Sequence, residues 1–161
     1  MTPEAKARQT IDAKLEQSGW VIQDYAHIQR HAALGVAVRE YPTSTGAVDY
    51  ALFIEGTLAG VIEAKKDDMG ENMSAVEVQS GRYANSVFKY VPGNPGIRFI
   101  YEATGEMIYF TDCDDIKPSA RRVFSFHRPE TLRMLLSKKD TVRNNLKHMP
   151  ALRSRIHKHK K

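Results

Sequence analysis

Apolar positions follow two rhythms along this chain. The first is helical. After Thr2-Pro3-Glu4, apolar residues recur once per turn at Ala7, Ile11 and Leu15, and Gly19 follows. Thr2 is a hydroxyl cap, Pro3 takes the first helical position, where its missing N–H costs nothing, and Glu4 puts an acid in the first turn. The pattern predicts a helix that Gly19 ends. The second rhythm is strand-like. Trp20 to Tyr25 and Gly35 to Tyr41 each predict a strand, the latter by its alternation. Asp49 to Ile54 and Leu58 to Ala64 predict a hairpin, with Gly56 supplying the turn. Ser74 to Tyr90 predicts a second helix, because Ser74 and Glu77 have the spacing of a capping box. Ile97 to Glu102 and Met107 to Thr111 predict two more strands, and Pro129-Glu130 opens a third helix through Leu136. Helix, strands, helix, strands is the order of an α/β domain whose mixed central sheet is flanked by helices.

Composition narrows the class. At 161 residues the chain fits one domain with a core of its own, and no apolar run approaches the length of a membrane span. The N-terminus lacks the apolar middle of a signal peptide. The lone Cys113 excludes an internal disulfide framework and suits the cytoplasm. The net charge of +5 hides a division: residues 138–161 carry nine Lys/Arg against one acid, while residues 1–137 carry 15 against 18. The body is therefore slightly acidic. A basic tail can grip phosphates, but such runs are more often solvated. Residues 1–137 read as the domain. Residues 138–161 read as a basic C-terminal segment, either a linker or an appended tail.

Candidate chemistry concentrates at the hairpin. Four acid-x-Lys triplets occur, at Glu4, Asp12, Glu63 and Asp115. Only Glu63-Ala64-Lys65 closes an apolar strand with a second acid, Asp49, at the mouth of the strand before it. Hydrolysis of a phosphodiester needs a deprotonated water, compensation for phosphoryl charge and help for the leaving alkoxide, and a divalent cation can serve all three. Mg²⁺ wants hard oxygen ligands. Asp49 and Glu63 can supply carboxylates and Ala64 a carbonyl, while Lys65 shares a face with Glu63 and can steady developing negative charge. The bland alternative is a surface Glu–Lys pair of little consequence; the strand-end position of both residues favours the site.

On the expected second helix, Gln79 and Tyr83 lie one turn apart and point the same way. Gln79 can satisfy a buried backbone group, or it can bond Glu63, Lys65 or a DNA phosphate; Tyr83 alone reads as core, and Tyr41, Tyr90 and Tyr101 as core or strand-edge aromatics rather than base-stacking platforms. Lys66, Arg82 and Lys89 divide evenly between phosphate contacts and solvated surface. The scattered histidines show no zinc spacing.

Together, Asp49, Glu63-Ala64-Lys65 and Gln79-Ser-Gly-Arg-Tyr83 resemble the PD-(D/E)xK nuclease motif followed by the Q-x-x-x-Y motif of its RecB-like branch. GVIEAKK, VQSGRYA, FIYEATG and FHRPETL further resemble the N-terminal endonuclease region of the R subunit of type I restriction–modification enzymes, over roughly residues 2 to 150. The resemblance implies a restriction-endonuclease-like core and Mg²⁺-dependent cleavage of double-stranded DNA, with Mn²⁺ as a substitute. It makes Asp49 and Glu63 metal ligands, Lys65 the catalytic lysine, Gln79 and Tyr83 supporting or DNA-contacting residues, and Glu4 the acid of the first helix. It also implies partners: modification and specificity subunits, the latter choosing the sequence, and a helicase-like motor in the same subunit that uses ATP. Val48 replaces the proline that names the motif, and no G-x-x-x-x-G-K-[ST] is present, so ATP belongs to a longer subunit. Two rivals stand beside this reading. One is a stand-alone repair or junction-resolving nuclease; the other is a non-catalytic docking module for a DNA motor complex.

Overall fold

Helix α1 (Pro3–Gln17) starts as its sequence dictates, with Ala5 N donating to Thr2 Oγ1 at 3.2 Å. It stops in a Schellman arrangement: Trp20 N donates to Leu15 O at 3.1 Å and Gly19 N to Glu16 O at 3.0 Å. Ala7, Ile11 and Leu15 are buried, as the once-per-turn spacing requires. The computed structural model describes residues 1–66, 97–138 and 146. The helix expected over Ser74 to Tyr90, with Gln79, Tyr83, Arg82 and Lys89, lies outside them, as does most of the basic segment.

Among the described residues, seven strands form one sheet in sequence order. They are β1 (Val21–Asp24), β2 (Gly35–Tyr41), β3 (Val48–Ile54), β4 (Thr57–Ala64), β5 (Phe99–Ala103), β6 (Ile108–Asp112) and β7 (Arg121–Val123). The pairs β1·β2 and β4·β5 are parallel and the other four antiparallel. Helix α2 (Pro129–Ser137) completes a mixed-sheet α/β fold. No helix among the described residues is long and apolar enough to cross a membrane.

The expected hairpin forms between β3 and β4. Ile54 pairs with Thr57, and the two residues between them, Glu55 (φ 51°) and Gly56 (φ 77°), are both left-handed, as a two-residue turn of matching twist requires. A side chain at Gly56 would also overlap the His31 ring. Gly60 serves a different purpose: its pairing with Phe99 is so close that a Cβ would stand 2.5 Å from the Phe99 carbonyl oxygen. That approach sets β5 against the end of β4. Two elements depart from expectation. The strand expected at Trp20–Tyr25 is trimmed to Val21–Asp24 and followed by a 3₁₀ turn, and β7 is a three-residue edge whose Arg-Arg-Val carries no alternation to announce it.

The sheet has two apolar faces. Ile11, Leu15 and Leu132 from the helices cover Tyr50, Leu52, Tyr101 and Phe110 on one. Val36, Val38, Phe53, Val61 and Ile100 form the other, with Tyr41. Tyr41 and Tyr101 are core aromatics, as their sequence context suggests.

At the helix-covered face, Tyr101 Oη lies 2.7 Å from His127 Nδ1, and Trp20 Nε1 donates to the His127 carbonyl at 2.9 Å. Burial raises the Tyr101 phenol, so it stays a neutral hydroxyl beside the imidazole. Burial, aided by Arg121, lowers His127 below its ordinary value of 6.5. The unfolded chain therefore takes up this proton first as pH falls through 6.5. The stability associated with neutral His127 is complete above that point and lost toward the lower folded-state pKa. Denaturant titrations at pH 7.5 and 5.5 are expected to show the wild type losing stability, and His127→Gln losing less. Equal losses in both proteins would remove His127 as the cause.

Candidate active site

Asp49 stands at the start of β3 and Glu63-Ala64 at the end of β4, and antiparallel pairing brings those ends together, with Tyr50 opposite Ile62. Strict alternation would place Asp49 with Ala51 and Phe53, on the face away from the helices. The alternation slips instead. Val48 packs with Ala51 and Phe53, although it is an odd number of residues from both, while Tyr50 packs under α1. Across the strand, Glu40 is left-handed (φ 50°) between the Arg39–Tyr50 and Tyr41–Val48 pairs. A non-glycine residue in that region is held there by its surroundings.

At this irregular point Asp49 meets α1. Its Oδ1 accepts from Arg8 Nη2 at 2.7 Å and its Oδ2 from the Ala64 backbone N–H at 2.9 Å. The second bond ties the carboxylate to the Glu63–Lys65 segment. A pocket of about 150 Å³ opens here, lined by Glu4, Ala7, Arg8, Asp49, Ala64 and Lys65. Four residues singled out from the sequence thus share one wall. Glu63 is not among the lining residues but lies within the same segment, half-buried and in register with Glu102 of β5.

Lys65 continues the ladder one step past β4, its N–H donating to Ala103 O at 2.7 Å. Its Nζ lies 3.9 Å from Oε1 of Glu102, whose side chain is only 3% exposed. At that separation the contact is an electrostatic pairing rather than a hydrogen bond. A carboxylate this buried needs cationic or hydrogen-bonding company, and Lys65 supplies part of it. Glu102 escaped the sequence reading, although a lone acid inside the apolar strand FIYEA was a signal of a buried polar role.

Arg8 was missed as well. It lies four residues after Glu4, on the same helix face, and that periodicity could have found it. Its Nη1 donates to Glu40 Oε1 at 2.9 Å, so the guanidinium spans two carboxylates. One turn further on, Asp12 accepts from Arg39 Nη2 at 2.7 Å and from the Tyr50 hydroxyl at 2.8 Å. Arg8, Arg39, Glu40, Asp49 and Tyr50 border a larger cavity of about 440 Å³. Burial pulls the Arg8 pKa down, but Asp49 and then Glu40 outweigh it and leave it raised. The hydrogen bond that Arg39 donates to Asp12 raises Arg39, and burial raises Tyr50. Both arginines therefore stay cationic, and Tyr50 stays a neutral phenol.

The donor chemistry suits a hard divalent cation: Asp49 and Glu63 offer carboxylate oxygens and Ala64 a peptide carbonyl on the same segment. No cluster of three or more His, Cys, Asp or Glu side chains able to hold a metal forms among the described residues. Two carboxylates plus waters and substrate oxygens is the ordinary complement for Mg²⁺, so the residues fit.

No curated protein and no solved structure matches this chain. Residues 23–97, a span holding Asp49, Glu63, Ala64, Lys65, Gln79 and Tyr83 but not Glu4 or Arg8, match a family model. That model describes the second domain of the type I restriction enzyme EcoKI endonuclease subunit, and the match supports an R-subunit endonuclease domain.

Proposed function

We propose that this chain is the nuclease domain of the R subunit of an ATP-dependent type I restriction enzyme, with a PD-(D/E)xK core. The observation carrying the proposal is the bond from Ala64 N–H to Asp49 Oδ2, which ties Asp49 to the Glu63–Lys65 segment beside one small pocket. The family match over residues 23–97 supports the same reading. Asp49, Glu63 and the Ala64 carbonyl are the ligands for Mg²⁺, for which Mn²⁺ can substitute. When bound, the cation supplies an activated water and neutralises phosphoryl charge. The chain's own residues do the rest. Asp49 is held at the strand end by its two hydrogen bonds, one from Arg8 and one from the Ala64 N–H. Lys65 brings an ammonium to the strand end, where it orients the attacking water and stabilises charge on the phosphoryl oxygens. Glu102 acts through Lys65 by holding that ammonium in place. Glu4 lines the pocket, and Gln79 and Tyr83 support the site or contact DNA.

In this reading residues 1–137 form the nuclease domain, and residues 138–161 are a basic segment beyond it. The partners are double-stranded DNA, a helicase-like motor of the full-length subunit that consumes ATP, and modification and specificity subunits. The enzyme works in the cytoplasm. Sequence choice belongs to the specificity subunit, in keeping with a slightly acidic body that lacks a basic footprint of its own.

A crystal soaked in Mn²⁺ tests the site directly. An anomalous peak in contact with both Asp49 and Glu63 is expected. Density at neither carboxylate would leave the fold without its chemistry and return the chain to the docking-module alternative.

A further inference from the structure

Arg8 is the least expected member of the site, and its position has a consequence for metal binding. Its Nη2 sits 2.7 Å from Oδ1 of Asp49, a proposed ligand of the cation. Asp49 Oδ2 is already engaged by the Ala64 N–H. Arg8 and Asp49 are also the two residues common to the walls of the 150 Å³ and 440 Å³ pockets, so the pair forms the partition between them. The other prong of the guanidinium rests on Glu40, 2.9 Å away, a residue held in a left-handed conformation beside the slip in β3.

We infer that Arg8 is a built-in competitor of the divalent cation: its guanidinium occupies Asp49 when no metal is bound, and it withdraws onto Glu40 when metal enters. The inference rests on the proposed metal site. A guanidinium at hydrogen-bond distance uses lone-pair space on Oδ1 and places a positive charge within a few ångströms of any ion the carboxylate binds. Glu40 gives that charge somewhere to stay, which keeps the exchange inexpensive. Arg8 thereby sets how tightly the site holds metal, without being a ligand.

Titration of the full 161-residue chain with Mn²⁺, followed calorimetrically and by electron paramagnetic resonance, tests this. Arg8→Met is expected to bind Mn²⁺ roughly tenfold more tightly than wild type, the scale of repulsion between a monocation and a dication across a largely aqueous, salt-screened gap. Arg8→Lys keeps the charge and is expected to stay near wild type. Glu40→Gln is expected to weaken binding a few-fold in the wild-type background and to do nothing in the Arg8→Met background, because it acts through Arg8. Asp49→Asn is expected to lose binding. If Asp49→Asn loses binding while Arg8→Met binds no more tightly than wild type, the metal site stands and the competitor role falls. If Arg8→Lys tightens binding as much as Arg8→Met, packing rather than charge is responsible, and the role falls again. If Asp49→Asn binds Mn²⁺ as well as wild type, the metal is held elsewhere and both readings fail.

Discussion

Lys65→Ala is expected to reduce DNA cleavage by the assembled enzyme by about two to three orders of magnitude, the usual loss when one preorganised electrostatic group is removed from a reacting centre. Under the proposed function, ATP consumption by that enzyme should continue, because the change would lie in its nuclease domain alone. The fold should survive as well. Lys65 lies just past the end of β4, and the backbone N–H through which it pairs with Ala103 is untouched by the substitution. Loss of the ammonium leaves Glu102 with less compensation, so a modest drop in stability is expected beside the large drop in cleavage. Lys65→Arg separates the two effects: it restores charge beside Glu102, and any shortfall in cleavage then reports the need for a compact ammonium. Conversion of supercoiled plasmid, measured alongside ATP turnover, gives the answer. Cleavage by Lys65→Ala at the wild-type rate would remove Lys65 from the chemistry.

The second large effect concerns stability. Arg98 and Asp112 form a two-pronged ion pair at 2.8 and 2.9 Å, with Arg98 7% and Asp112 5% exposed. A further contact of the guanidinium, Nη1 donating to Leu135 O at 3.0 Å, fastens α2 to the sheet. The Asp112 hydrogen bond raises the Arg98 pKa, so the cation persists at any pH the fold survives. Arg98→Met strands a buried carboxylate whose remaining help includes the Asp114 N–H, at 3.1 Å. A loss of about 3–5 kcal/mol is expected in urea unfolding, against a total stability of about 5–15 kcal/mol for a typical domain. The double change Arg98→Met/Asp112→Leu should recover most of it, because two apolar groups strand no charge. A single-variant loss below about 1 kcal/mol would mean that water reaches the pair.

Local chemistry was readable in this chain, and long-range chemistry was not. Helix α1 was visible because its cap, its proline and its once-per-turn stripe all lie within a few residues of one another. The same holds for the hairpin, whose Glu55-Gly56 turn fixes the pairing of Ile54 with Thr57. Asp49, Ala64 and Lys65 could be placed together because that hairpin carries them, and the pocket gathers them with Glu4. Arg8, Glu40 and Glu102 could not be placed in advance. Each joins the site through a partner far along the chain: Arg8 lies 41 residues from Asp49, and Glu102 reaches Lys65 across the parallel β4·β5 pair. The slip at Asp49 was equally hidden. Alternation alone sends its side chain to the wrong face, and only the left-handed Glu40 opposite reveals why the strand departs from it.

The sequential order of the strands bears on how the molecule assembles. In a sheet whose spatial neighbours are mostly chain neighbours, early contacts close short loops, and β3·β4 is the cheapest pairing to nucleate. The parallel β4·β5 pairing must wait until the chain between Lys65 and Arg98 has been gathered in. Asp49 and Glu63 are therefore expected to come together early, with the hairpin, and the Lys65–Glu102 contact to be added later. Substitutions around Lys65 and Glu102 should then act mainly on the unfolding rate, whereas those in the Glu55-Gly56 turn should slow folding itself.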